Sequence, residues 1–220
     1  MTTRTLLQPL LALLLTLPIP SPLPAGSKNP KEIIKKVQKK YRQVKTLQAD
    51  FRQDFRWELT GETHSVTGII YLQEGNKYHI ETDVQKIITD GTTVWTYSKK
   101  TRQVIIDLLE KSEENPLPRD LVLKYSEEYA PVYVGEEKLD GRKMHVLNLV
   151  PKEEDTLIKS VKIWVDADNW VTRKIEQLDI NDNLNTYLVS NIRDNVPLDP
   201  SLFQFQIEQD FEVVDLRETD

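Results

Sequence analysis

Side chains able to carry acid–base or metal chemistry are few in this 220-residue chain: three histidines (His64, His79 and His145) and no cysteine. Without cysteine there is no thiolate nucleophile, disulfide, cysteine–zinc site, iron–sulfur cluster or lipid-attachment thiol. Asp166-Ala-Asp168-Asn169 opens like a calcium loop, yet the loop's glycine and closing glutamate are missing, and it reads as a hairpin turn. The adjacent carboxylates Glu136-Glu137 and Glu153-Glu154-Asp155 sit in polar stretches. Nothing there would desolvate one partner and raise its pKa for general-acid work. No Gly-x-Ser-x-Gly elbow or phosphate-cradling glycine loop occurs, and all but one of the seven glycines fall near turns. His79 alternates with Tyr78 and Ile80 on a strand-like stretch, with no partner evident in the sequence. The expectation is a protein that is not an enzyme and takes neither metal nor cofactor.

The abundant signal is apolar and aromatic, and the elements that would position it are strands. From Leu47 the hydrophobic period is two: Leu47, Ala49, Phe51, Phe55, Trp57 and Leu59 are odd-numbered, while Gln48, Asp50, Arg52, Asp54, Arg56 and Glu58 are even. One face of that strand is therefore apolar and the other polar. Further strands are expected at 66–73, 77–82, 86–90, 93–97, 103–108, 129–134, 143–150, 157–166, 171–179 and 185–193. Turns such as Asp90-Gly91 and Asp140-Gly141 separate them. The tail from Pro197 to Phe205 reads as a turn and short strand, and 211–216 as one more. Short strands joined by tight turns make an antiparallel meander, not β-α units.

Two helices interrupt this pattern. Asn29-Pro-Lys-Glu32 is a helix start, followed by Ile33, Ile34, Val37, Tyr41 and Val44 at helical spacing with lysines between them. Pro116-Leu-Pro-Arg-Asp-Leu-Val-Leu-Lys-Tyr125 suggests a short helix packed across the sheet by Leu117, Leu121, Val122 and Tyr125. A sheet of about eleven strands curls as it widens. With two helices to fill its concave side, it leaves an apolar hollow of the kind that holds lipid-sized ligands. The fold class is thus α+β: a curved antiparallel sheet of about eleven strands with helices over its concave apolar face. The net charge of −6 argues against nucleic acid and against electrostatic docking on anionic lipid.

Residues 1–25 read as a signal peptide: Arg4, an apolar run from Leu6 to Leu17, then a proline-rich stretch to a cleavage site near Ala25. Residues 26–220 read as a single domain, exported to a Gram-negative periplasm.

Several segments together resemble the periplasmic outer-membrane lipoprotein carrier family, LolA. They are Leu47-Gln-Ala-Asp-Phe-Arg-Gln53, Gly68-Ile-Ile-Tyr-Leu72, Asn76-Lys-Tyr78, Thr89-Asp-Gly-Thr-Thr-Val-Trp-Thr-Tyr97 and Leu147-Asn-Leu-Val-Pro151. The hairpin from Leu178 to Leu188, Phe203-Gln-Phe205 and Phe211-Glu-Val-Val-Asp215 continue the match to the end. The resemblance implies an unclosed antiparallel half-barrel lidded by helices, and a monomeric carrier with acylated lipoproteins as cargo. It takes them from an inner-membrane ABC-type releasing complex and hands them to an outer-membrane acceptor, for which a LolB-like protein is one candidate. The alternative is a periplasmic sensor or regulatory module that binds lipid or lipoprotein in the same half-barrel. The expected lipid-binding residues are Phe51, Phe55, Trp57, Leu59, Ile70, Leu72, Tyr78, Ile80, Trp95, Tyr97 and Trp164, with Leu121 and Val122 from the lid helix. One departure stands out: where enterobacterial relatives carry an Arg-Pro pair whose arginine holds the lid, this chain has Glu74-Gly75, with Tyr78 kept and Ile80 in place of a tryptophan.

Overall fold

The computed structural model describes residues 28–111, 127–153 and 156–217. Helix α1 spans Pro30–Gln43 and begins as its sequence dictates. The Asn29 side chain accepts a hydrogen bond from the Lys31 amide at 3.0 Å, and proline fills the first position, where no amide donor is needed. Glu32 lies in the positive first turn, and Lys40 and Arg42 in the negative last turn. Ile33, Ile34 and Val37 are buried against Leu147, Leu149, Val161, Ile163 and Val165. Burying each such side chain is worth about 1.5–3 kcal/mol, which outweighs the lysine-rich helix's weak tendency to fold alone. An ion pair between Lys40 and Asp194 ties down the far end.

Among the described residues twelve strands follow: β1 (Thr46–Arg56), β2 (Thr63–Gln73), β3 (Lys77–Thr82), β4 (Gln85–Thr89), β5 (Thr93–Ser98), β6 (Gln103–Leu108), β7 (Tyr129–Leu139), β8 (Arg142–Pro151), β9 (Ile158–Asp166), β10 (Thr172–Asp179), β11 (Leu184–Asp194) and β12 (Glu212–Asp215). They form one sheet in the order β12-β6-β5-β4-β3-β2-β1-β11-β10-β9-β8-β7. Its two edges, β12 and β7, do not meet, so this is the unclosed half-barrel expected from the sequence. Every pairing is antiparallel except β12 on β6. That last strand is the one expected at 211–216.

The expected tail strand through Phe205 does not form. Asp199 caps a 3-10 turn at Pro200–Phe203, and the chain then crosses the sheet. Phe205 and Phe211 lie against Tyr97, with ring centroids 5.7 Å and 4.6 Å away. Aromatic stacking there replaces a backbone ladder. Arg102 secures the same tail by pairing with Glu208 and Asp210. Glu74 sits in the exposed β2–β3 turn, its amide bonded to the Lys45 carbonyl at 2.9 Å. The helix expected at residues 116–125 lies outside the described residues.

Candidate functional site

Side chains directly opposite one another in a ladder share a face, so the register sorts the whole sheet into two sides. On β1 the pairs Leu47–Leu72, Ala49–Ile70 and Phe51–Gly68 carry one face onto β2. Leu72–Tyr78 and Ile70–Ile80 carry it to β3, Ile80–Ile87 to β4 and Thr89–Val94 to β5. In the other direction Gln53–Tyr187, Tyr187–Ile175, Ile175–Ile163 and Ile163–Leu147 carry the same face to β8. Leu147 and Ile163 are what α1 packs on, so this is the helix face.

Six of the expected residues come together there: Phe51, Phe55, Ile70, Leu72, Tyr78 and Ile80. The helix covers the β7–β10 end. At the other end Tyr78, Ile87 and Val94 form a second core, with Leu72, Ile80 and Leu109 packed on it. Between them Phe51, Phe55, Val66, Ile70, Ile80 and Val189 are half-buried, a continuous apolar field across β11, β1, β2 and β3. Gly68 explains its own position at the centre of this field. A Cβ there would stand 2.3 Å from the Glu81 carbonyl oxygen and 2.8 Å from the Phe51 ring, so only glycine lets strand and ring approach so closely.

Three expected residues belong to the other side. Trp95 pairs with Ile88 and Ile106, which places it and Tyr97 opposite Val94 and Thr96, beneath Phe205 and Phe211. Trp164 pairs with Val146 and Lys174, opposite Ile163. Its indole Nε1 donates to Glu137 at 2.7 Å, and the Lys162 and Lys174 ammonium groups lie 4.6 and 4.2 Å from its ring centroid. These three tryptophan and tyrosine side chains therefore fall outside the helix-face field: alternation was visible in each strand, but its phase against β1 was not. Trp57 and Leu59 lie past the end of β1, in the turn to β2. Leu121 and Val122 lie outside the described residues.

One polar group in the field was missed. Gln53 Nε2 donates to Asn185 Oδ1 at 3.1 Å and to Tyr187 Oη at 3.2 Å, and Asn185 Nδ2 donates to the same hydroxyl at 2.8 Å. Burial raises the Tyr187 pKa, so the phenol stays neutral and the trio is an uncharged hydrogen-bonding patch. The sequence did hold a signal: Gln53 is the polar residue at an odd position between Phe51 and Phe55. The buried Tyr78 hydroxyl has no hydrogen-bond partner among the described residues, and desolvation pushes its pKa up to about 12.

A depression of about 720 Å³ is lined by the charged Asp50, Arg52, Glu81, Asp83, Asp140 and Arg173 together with the apolar Phe51, Ile69, Leu139, Leu188 and Val189. Among the described residues no group of three or more His, Asp or Glu is placed to hold a metal ion. No helix among them is long and apolar enough to cross a membrane.

Comparison with known proteins gives a consistent picture. The family model described as outer membrane lipoprotein carrier protein LolA matches residues 42–206. An uncharacterized protein of Methanocaldococcus jannaschii is 29% identical over 180 residues, 80% of this chain and 51% of that one, so this chain spans about half that relative's length. An outer-membrane lipoprotein carrier protein of Pasteurella multocida is 25% identical over 185 residues, 83% of this chain and 86% of its own. Among solved structures, an uncharacterized conserved protein from Thermus thermophilus shares the fold: the TM-score is 0.59 at 14% identity, over 84% of this chain and 98% of that one.

Proposed function

This chain belongs to the LolA family of outer membrane lipoprotein carrier proteins, and on that premise we propose that its helix face holds the acyl chains of lipoproteins in transit across the periplasm. In this reading an inner-membrane ABC-type complex loads the protein and an outer-membrane acceptor empties it, with no covalent chemistry on the way. The observation that carries the proposal is the half-buried field of Phe51, Phe55, Ile70, Leu72 and Ile80 beside α1. Each methylene moved from water onto such a surface gains about 0.8 kcal/mol, so a long acyl chain has a strong preference for it. The Gln53–Asn185–Tyr187 patch offers neutral donors and acceptors that suit the ester and amide groups near a lipid anchor.

The test is binding of a lipophilic fluorescent dye to the purified protein, with native mass spectrometry of protein recovered from periplasm. Phe51→Ser with Ile80→Ser should weaken dye binding at least tenfold, and wild-type protein should carry lipid or lipoprotein. Unchanged dye affinity in that variant would move the site elsewhere. A protein that binds neither dye nor lipid would refute the reading.

A further inference from the structure

We propose that the Tyr187 hydroxyl is the carbonyl anchor of the helix face, its proton free to bond the ester or amide oxygen that joins an acyl chain to the rest of its lipid. This rests on the carrier reading and names the group of the cargo that the field selects. Gln53 and Tyr187 stand directly opposite each other on β1 and β11, and Asn185 stands opposite Phe55. Phe51 faces Val189 in the same ladder, while Val66 and Ile175 flank the pair on the next strands. The trio is therefore a polar island with apolar side chains around it.

Counting hydrogens singles out the phenol. Gln53 Nε2 spends both of its hydrogens, one on Asn185 Oδ1 at 3.1 Å and one on Tyr187 Oη at 3.2 Å. Asn185 Nδ2 donates to the same Oη at 2.8 Å. Turning over one amide would set like atoms together, and turning over both would give the hydroxyl two acceptors for its one proton. Only the arrangement observed satisfies all three contacts. The phenol oxygen thus accepts twice, which fills both lone pairs and leaves its own proton over. No acceptor for that proton lies among the described residues, and Gln53 Oε1 has no donor among them. Burial raises the Tyr187 pKa, so the proton stays on the oxygen.

An unspent donor in an apolar surface chooses its ligand. Solvent satisfies it while the half-buried field is empty, but an acyl chain laid over the field excludes water, and a donor left unpaired beneath it weakens binding. A carbonyl at the head of the chain restores the bond, and an amide N–H beside that carbonyl would meet Gln53 Oε1. The place of the trio suits this order of groups. Gln53 is three residues from the end of β1 and Tyr187 three from the start of β11, about 10 Å inside the rim of the sheet. In the other direction Ile70 and Leu72, opposite Ala49 and Leu47, carry the apolar face about 13–20 Å further. One leaflet's share of a bilayer's hydrocarbon is about 15 Å, so an acyl chain has room beyond its carbonyl.

The test compares palmitoyl lysophosphatidylcholine, an ester, with its hexadecyl ether analogue, which keeps the chain length and headgroup and lacks only the carbonyl. Each is titrated against the dye-loaded protein below its micelle-forming concentration. The ester should bind about fivefold more tightly or better, and Tyr187→Phe should bring that ratio to about one. Equal affinities in the wild-type protein would overturn the proposal, a result that needs no variant. A ratio kept in Tyr187→Phe would overturn it too, by giving the carbonyl to another donor. A triacylated lipopeptide and a diacyl phosphatidylcholine then compete separately for the bound ester. Displacement by either supports the proposal and identifies the lipid that supplies the carbonyl; displacement by neither overturns it. Wild-type protein that binds no lipid and no dye would refute the carrier reading and the anchor with it, an outcome distinct from equal binding of ester and ether.

Discussion

Replacing Gly68 by alanine tests whether backbone or side chain sets the floor of the apolar field. The new methyl would sit 2.3 Å from the Glu81 carbonyl oxygen, and 2.8 and 2.9 Å from Cε1 and Cζ of Phe51. Overpacking a closely fitted site costs about 1–3 kcal/mol. Removing glycine from the unfolded chain returns about 0.4–1 kcal/mol. The net loss should be about 1–2 kcal/mol, read as a melting temperature lower by roughly 2–8 °C for a domain of this size. The shortest contact is to a hydrogen-bonded strand, which moves less easily than a ring. Gly68→Ala should therefore cost nearly as much in a Phe51→Ala background as in wild type. The assay is a double-mutant cycle by calorimetry or urea melts followed by circular dichroism. Full rescue by Phe51→Ala would show that the ring alone demands glycine. No cost in either background would refute the close approach of β2 and β3.

Burial is the chief cause holding the His79 and His145 pKa values below the ordinary 6.5, so the folded protein resists protonation that the unfolded chain accepts. Stability should be full above about pH 6.5 and fall as the pH drops toward 5. His79→Gln with His145→Gln should flatten that slope in urea melts; an unchanged slope would place its origin elsewhere. Glu136, held down to about 2 by hydrogen bonds from Lys143 and Lys28, adds its own loss only at more acid pH. Ile34→Ala should destabilise by about 2–4 kcal/mol, and Asn29→Ala by about 1 kcal/mol. The same melts measure both, and a silent Ile34→Ala would mean that α1 does not anchor the sheet. Phe211→Ala should lower stability by removing the stack on Tyr97 while leaving dye affinity as in wild type. Weaker dye binding would place Tyr97 in the site after all.

Much of the architecture was legible because local chemistry wrote it. The Asn29 cap with Pro30 marked the start of α1, and the bounds of 77–82 and 103–108 are those observed. The odd–even split of β1 likewise put Phe51 and Phe55 on one face. The side taken by Trp95, Tyr97 and Trp164 was not legible. A strand's alternation is local, whereas its phase against β1 accumulates over every intervening turn and bulge. Between β1 and β9 that path crosses irregularities at Gln48/Asp50 and Thr172/Lys174. The tail misled for a related reason: Phe203-Gln-Phe205 alternates like a strand, but its rings are spent on the sheet's opposite face.

The sheet order also has a kinetic consequence. β2 to β6 and β7 to β11 are two meanders, each built from contacts between neighbours in sequence, and β1 is the strand that joins them. Its partner on one side follows at once. On the other side Gln53 meets Asn185, 132 residues later. At ribosomal rates of about 5–20 residues per second, β1 waits on the order of ten seconds or more with one edge unpaired and Phe51 and Phe55 on its apolar face. Long-range pairing of this kind slows folding and leaves an adhesive edge open meanwhile. Closure of β1 on β11 should thus be a late event in folding, and the interval before it the one in which a newly made chain most needs protection from its neighbours.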